Sequence, residues 1–410
     1  MKLIGRWAAL PALACFALFL NGATFAGTSV KAAATGAQTF TVNVDGVNSK
    51  ANESFLAYFP QSTTVHPGDT VVFHYVGDGE PHTITFGSLV DKAVSLYSKL
   101  TPAQQNASKP PPAFGAADAA LPQLFPRGPG DAVQSAANTC FLASGTPGTA
   151  LCPKSERVQP AFNGSQSYYN SGWLNNNQKF TVHISSSTPP GTYRFMCLLH
   201  REFMSGKVTV VAAATSVASP STQLAAGLKL QAKMEAVLAP AVAALRVGKP
   251  PVPHVTLPGA NPVLAGSAGN VPAQVDEFGP KTIKIPVGGS VTWYLLGDHS
   301  ITFNSNKSDN DIHASAPGGI SHFNTKAVAP AGGPGEPAPG KPAFTSGLHF
   351  KVVASQSWNG KGFHNSGVFV NSFGPPVIEG YTLKFTTKGT YNYICTVHDH
   401  MKGTVVVGGG

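Results

Sequence analysis

Short apolar runs in which every second position is hydrophobic recur along the chain, and a period of two is that of a half-buried β-strand. The clearest are Tyr193/Phe195/Cys197 and Tyr391/Tyr393/Cys395, whose side chains fall on one face of a strand. Both strands begin Gly-Thr-Tyr and end at a cysteine; a short polar loop follows, and a Val-rich strand returns, over 206–211 in one case and 403–407 in the other. Nearer the amino terminus, residues 59–73 read as strand, Gly turn and strand, and they lead to His82, which opens a further strand ending at Phe86. Residues 278–293 repeat that pattern and lead to His299 and Phe303. One segment has a different period: from Ser221 to about Val247 the apolar positions fall at helical spacing behind an N-capping Ser or Thr, with a break expected at Pro240.

The matching stretches, including Asn170-Ser171-Gly172 and Asn365-Ser366-Gly367, occur in the same order in each half, which indicates an internal duplication. A chain of 410 residues is too long for one ordinary core, and two domains account for it once linkers are counted. Only 11% of residues are charged, while Gly (44) and Pro (34) are abundant, so an all-β chain of short strands and many turns is expected. The organisation predicted is a first domain over 38–213 with a long insert at about 87–165, including a helix near 89–100. A linker over 214–266 carries one short helix packed against a domain, and a second domain follows over 267–408, with an insert at about 305–360.

Lys2 and Arg6 precede an apolar run from Trp7 to Leu20, and small residues follow, with a cut expected after Ala26, so residues 1–26 read as a signal peptide. Export makes a disulfide the simplest fate for Cys140 and Cys152, which lie close together in a Gly/Pro-rich stretch. Net charge is +9 for the whole chain, and a basic exported protein suits acidic partners or anionic surfaces. No Lys/Arg stripe points to nucleic acid.

Each repeat supplies one early histidine and a late Cys-His-Met cluster: His82, Cys197, His200 and Met204 in the first, His299, Cys395, His398 and Met401 in the second. Two imidazoles, a thiolate and a weak thioether are the donors of a trigonal, axially capped type 1 copper, which gives two copper ions per chain. A cysteine at a strand end, a histidine three residues on and a methionine shortly after can converge on one ion from a single turn. Met204 stands one residue further from its histidine than Met401 does from His398. His400 forms the only His-x-His in the chain and reads as an exposed loop residue beside the ligand.

These motifs resemble the cupredoxins. Cys395-Thr-Val-His-Asp-His-Met-Lys-Gly is similar to the amicyanin loop, and the Gly-Thr-Tyr strand and the 67–86 segment are similar to plastocyanin and pseudoazurin. The resemblance covers the core strands of both repeats and fails in the linker and inserts. It implies two tandem Greek-key β-sandwiches with ligands gathered at one end of each and copper just beneath the surface. It also implies that the outer edges of His200 and His398 meet partners, and that the hydroxyls of Thr83 and Ser300, directly after the first ligands, orient the ligand loops.

The function expected is single-electron transfer by an exported blue copper protein, between a redox protein donor and acceptor that are acidic or membrane-associated. The alternatives are copper storage, delivery or resistance, and a copper oxidoreductase related to multicopper oxidases or nitrite reductase. Such enzymes wire type 1 copper to a catalytic copper through a histidine beside the cysteine. Here the neighbours are Met196 and Leu198 in one repeat, and Ile394 and Thr396 in the other, so an electron carrier rather than an enzyme is expected.

Overall fold

Strands such as Thr70–Tyr75 and Lys179–His183, in which buried and accessible residues alternate, supply most of the secondary structure. The computed structural model describes residues 36–408 apart from 47, 49, 78–80, 102–103, 105–110, 122–159, 173, 175–176, 250–259, 269–271, 296, 298, 307–312, 316–320, 324–352, 369–378 and 399. Residues 1–26, read as a signal peptide, and Cys140 and Cys152 lie outside the described residues.

The first half contains β1 (Thr39–Val44), β2 (Glu53–Phe55), β3 (Tyr58–Phe59), β4 (Ser62–Val65), β5 (Thr70–Tyr75) and β6 (Thr85–Phe86). Helices α1 (Ser88–Tyr97) and α2 (Pro112–Ala119) follow, then β7 (Tyr169–Asn170), β8 (Lys179–His183), β9 (Gly191–Cys197) and β10 (Arg201–Val210). Helix α3 (Pro220–Arg246) leads to β11 (Pro262–Ala268), β12 (Ala273–Gly279), β13 (Thr282–Ile285), β14 (Ser290–Leu295) and β15 (Thr302–Phe303). The chain continues with a hairpin, β16 (His313–Ser315) and β17 (Ser321–Phe323), then β18 (Val353–Trp358), β19 (His364–Asn365), β20 (Glu379–Phe385), β21 (Gly389–Ile394) and β22 (Lys402–Val407).

Two sheets in the first half have the orders β3-β1-β5-β8 and β4-β10-β9-β6-β7. Their counterparts in the second half are β18-β20-β14-β11-β12-β2 and β13-β22-β21-β15-β19. The pairings match strand for strand: β1 runs parallel to β5 as β11 does to β14, and β4 parallel to β10 as β13 does to β22. The fold is therefore mostly β, with two sandwiches of one plan. Their cores match too. Phe195 lies edge-on to Phe73 at 4.9 Å between centroids, and Tyr393 takes the same place against Trp293 at 5.4 Å. Such pairs add about 0.5–1.5 kcal/mol beyond their area.

The halves are interleaved rather than merely strung together. Strand β2, inside the region read as the first domain, joins the second sandwich's sheet by pairing antiparallel with β12, so that Ser54 faces Gln274. By the register of β3 and β12 on β1 and β11, Ser54 and Gln274 are equivalent positions of the two repeats, and the ladder between them relates the halves as a pseudo-two-fold contact does.

The linker expectation needs correction. Its helix is not short and does not break at Pro240: α3 runs for 27 residues straight through that proline, and β11 begins at Pro262, inside the stretch read as linker. Proline removes one backbone bond, to the carbonyl of Ala236, but both residues are exposed, so that carbonyl is open to solvent rather than buried without a partner. Meanwhile Gly227, Gln231, Met234, Leu238, Val242 and Leu245 form one buried stripe on both sides of Pro240, and this holds the helix to a single surface. The surface belongs to both sandwiches, since α3 packs on β1 and β3 of one and on β11 and β12 of the other. Gln223 exchanges hydrogen bonds with the Thr64 backbone near the helix start, and Arg246 at its end bonds both Glu277 and the Lys50 carbonyl.

Candidate metal centres

In the first sandwich the early histidine is fixed through its backbone before its ring does anything. His82 N–H donates to the Leu174 carbonyl (3.1 Å) and Leu174 N–H donates back (2.8 Å). Next along the strand, Ile84 N–H donates to the Ser171 hydroxyl (2.8 Å), Ser171 N–H to the Ile84 carbonyl (3.0 Å), and the Thr85 hydroxyl to Asn170 Oδ1 (2.9 Å). The second sandwich repeats this with Ile301 and Ser366 (2.8 and 3.0 Å), and with Thr302 and Asn365 (3.0 Å). The recurring Asn-Ser-Gly motif is thus the clamp for the histidine strand.

The cysteine loops converge on the same places. His82 Nδ1 lies 3.2 Å from His200 Nδ1 and 3.8 Å from Cys197 Sγ. His299 Nδ1 lies 3.2 Å from His398 Nδ1, and Cys395 Sγ is 4.0 and 3.6 Å from those two nitrogens. All six residues are buried. The second triangle tests directly whether a metal fits: its centre lies about 2 Å from every donor, the length of a metal–imidazole bond. One soft sulfur and two imidazole nitrogens aimed at one point suit a thiophilic, imidazole-binding transition ion.

Met204 and Met401 are fully buried in the same apolar clusters as Cys197 and Cys395 respectively. Their unequal spacing is absorbed by a bulge in β10: Ser205 faces Met196 as Lys402 faces Ile394, so each methionine directly precedes the residue paired opposite the one before the cysteine. Met401 also closes its own loop, its carbonyl accepting from Cys395 N–H and its N–H donating to the His398 carbonyl, both at 3.0 Å.

Thr83 N–H points at Cys197 Sγ (3.3 Å), and its hydroxyl accepts from Leu198 N–H (2.8 Å). Ser300 does the same for Cys395 Sγ (3.4 Å) and Thr396 N–H (2.9 Å). Both hydroxyls therefore tie the histidine strand to the first residue of the ligand loop.

His200 and His398 are not at the surface. They are 0% and 3% exposed, unlike the accessible edge that the resemblance implies. The ring of His398 is covered by β12, whose Gln274 amide lies 3.1 Å from its Nε2 and whose Asp276 carboxylate lies 3.6 Å away. In the other site the covered ring is also that of His82, whose Nε2 lies 3.3 Å from the buried Asp45 carboxylate. Burial alone would disfavour a charged His82, but Asp45 and the Cys197 sulfur raise its pKa above the ordinary imidazole value. Burial likewise opposes ionisation of Cys197, yet His200 and His82 hold its thiol well below the usual range. The direction favours the thiolate form of Cys197, which is the form a metal binds.

Sequence reading missed Asp45, Gln274 and Asp276. Asp45 has a left-handed backbone, φ 65°, and in the second repeat its place is taken by Gly266, φ 78°, so comparing the repeats conceals it.

No family model and no curated protein sequence matches the chain. Among solved structures it is similar to dithionite-reduced auracyanin from the photosynthetic bacterium Roseiflexus castenholzii, at 17% identity over 43% of this chain and 98% of that one, with a TM-score of 0.21. It is similar to a purple cupredoxin from Nitrosopumilus maritimus at 14% identity, covering 36% of this chain and 98% of that one, with a TM-score of 0.18. A reduced amicyanin variant gives 14% identity over 44% and 86%, with a TM-score of 0.19. The doubled sandwich topology and the His-Cys-His cluster in each half define two cupredoxin-like domains.

Proposed function

We propose that the protein is an exported copper protein that holds one type 1 copper in each sandwich and passes single electrons between redox partners. The observation that supports this reading is the buried triangle of two imidazole nitrogens and a cysteine sulfur, built twice from equivalent strands. His82, Cys197 and His200 would hold one ion, with the thioether of Met204 as a further donor, and His299, Cys395 and His398 would hold the other, with Met401. Copper bound there supplies a Cu(II)/Cu(I) couple. The protein's part is to keep the donors still: strand clamps and loop hydroxyls fix them in a dry core, so little has to move when the charge changes.

A cleft of about 410 Å³ supports docking of an acidic partner near the second centre. Lys50, Arg246, Lys281, Lys402 and the exposed His400 line it, against the single acidic residue Glu277. His400 is two residues from His398 in the chain. Among the described residues no helix is long and apolar enough to cross a membrane.

Copper stoichiometry combined with the visible spectrum tests the reading. Two coppers per chain and an intense blue absorption that vanishes on reduction are expected. Cys395→Ser should remove one copper and about half of the blue colour, given one thiolate-to-copper absorption per site. Further coppers with oxygen or nitrite turnover would indicate an oxidoreductase, and colourless Cu(I) passing readily to a chelator would indicate delivery.

A further inference from the structure

We infer that strand β2 couples the two centres, so that filling one changes the other, with Asp45, Ser54 and Asp276 as the positioning residues. The inference rests on the reading that each His-Cys-His triangle holds copper. Asp45 has one carboxylate oxygen 3.3 Å from His82 Nε2, while the other accepts from Phe55 N–H at 2.6 Å. Phe55 is the last residue of β2, and the residue before it, Ser54, donates its hydroxyl to Asp276 Oδ2 at 2.5 Å. The second oxygen of Asp276 lies 3.6 Å from His398 Nε2. A continuous run of side-chain contacts and two residues of backbone therefore joins a ligand of one centre to a ligand of the other.

Three properties make this run able to transmit a change. Asp45, Ser54 and Asp276 are 1%, 4% and 4% exposed, so water and salt screen their charges and dipoles little. A carboxylate beside the outer nitrogen of a ligand imidazole, hydrogen-bonded at Asp45 and in ionic contact at Asp276, bears on its orientation and basicity, and a cation at Nδ1 pulls on the same contact from the other side. The surroundings leave no slack: a Cβ on Gly77 would sit 2.3 Å from Asp45 Oδ2, and one on the equivalent Gly297 would sit 2.6 Å from Gln274 Oε1 and 2.8 Å from His299 Nε2. β2 itself is locked to β12, with Leu56 N–H donating to the Pro272 carbonyl and Asp276 N–H to the Asn52 carbonyl, both at 2.8 Å. A shift of Asp45 is thereby passed to the strand that presents Ser54.

The test uses Cu(I), which is diamagnetic, on the full chain. In Cys395→Ser, whose second centre lacks its thiolate, one equivalent of Cu(I) should fill the first centre first and shift the imidazole resonances of His398, and adding Ser54→Ala should abolish that shift while the first centre still binds. In the chain with both centres intact, chelator competition should give two affinities linked by about fivefold or more, and Ser54→Ala should make them independent. Asp276→Asn keeps an acceptor for Ser54 but removes the charge facing His398, so it should shrink the coupling, and it carries the test if Ser54→Ala fails to fold. If both centres bind Cu(I) independently in the unaltered chain, or if the His398 shift survives loss of the Ser54 hydroxyl, the coupling is refuted and the copper reading stands. If neither centre binds Cu(I), both fall together.

Discussion

The two centres share an inner triangle and differ in what stands behind it. In the first, a single carboxylate on a left-handed residue, Asp45, backs the early histidine, His82. In the second, Gly266 occupies that place, and Gln274 and Asp276 of β12 back the late histidine, His398. The motif that clamps the early strand has diverged in the same way: Tyr169 precedes Asn170 in one repeat, and His364 precedes Asn365 in the other. Duplication has kept the atoms that can meet the metal and has let their supports change. The two centres are therefore expected to differ in strength and in their response to acid.

The largest difference concerns acid. His364 is buried, stacked on Trp358 at 5.6 Å, and its Nε2 bonds the Tyr381 hydroxyl, while its Nδ1 is buried with no hydrogen-bond partner among the described residues. Desolvation pushes its pKa down to about 4 from an ordinary 6.5. The unfolded chain therefore takes up a proton before the folded one does. Stability from the neutral ring is complete above pH about 6.5 and is lost as pH falls toward 4, by about 3 kcal/mol in all. Tyr169 cannot add such a slope, since a phenol is neutral throughout that window. Thermal melts from pH 7 to pH 4.5 should show the unaltered chain losing stability faster than His364→Tyr. Parallel curves would mean that the ring is not held neutral.

A second, smaller effect separates the outer supports. Asp45→Asn suits the left-handed backbone but removes the charge behind His82, so it should weaken metal binding at the first centre by about 10–100-fold and leave the second nearly unchanged. Chelator competition in the Cys395→Ser and Cys197→Ser backgrounds would read each centre alone. An equal loss at both would place the role of Asp45 in the fold rather than at His82.

What could be read in the sequence follows the same division. Six of the eight candidate donors, the Cys-His-Met set of each repeat, stand at short, repeated spacings within a strand end and its following loop, so chain distance predicts spatial distance. His82 and Cys197 are 115 residues apart, yet each opens or ends a strand with a copy elsewhere, and this made them visible. The parts not legible are those that depend on contacts between the halves. Strand β2 is three residues, Glu-Ser-Phe, all buried, without the alternation that marks a strand. The continuation of α3 through Pro240 is decided by a stripe that needs both sandwiches as its surface. Asp45 and Asp276 occupy places that the other repeat does not share. The cover over His398 was not legible for the same reason, because Gln274 and Asp276 of β12 supply it and neither stands in a repeated motif.

The smallest effect compares the two loop hydroxyls. Thr83 accepts from Leu198 N–H, whereas Ser300 accepts from Thr396 N–H and also lies 2.8 Å from the Thr396 hydroxyl. Removing either by Thr83→Val or Ser300→Ala leaves a buried amide without its acceptor, which costs about 1–3 kcal/mol. The second change also takes a partner from the buried Thr396 hydroxyl, so it should lie at the upper end of that range and the first at the lower. Thr83→Ser and Ser300→Thr keep the oxygen and should restore most of the loss. Denaturant melts of the four metal-free variants measure this apart from any effect on copper. The comparison fails if the two deletions cost the same, because the extra Thr396 contact would then contribute nothing to holding the second loop.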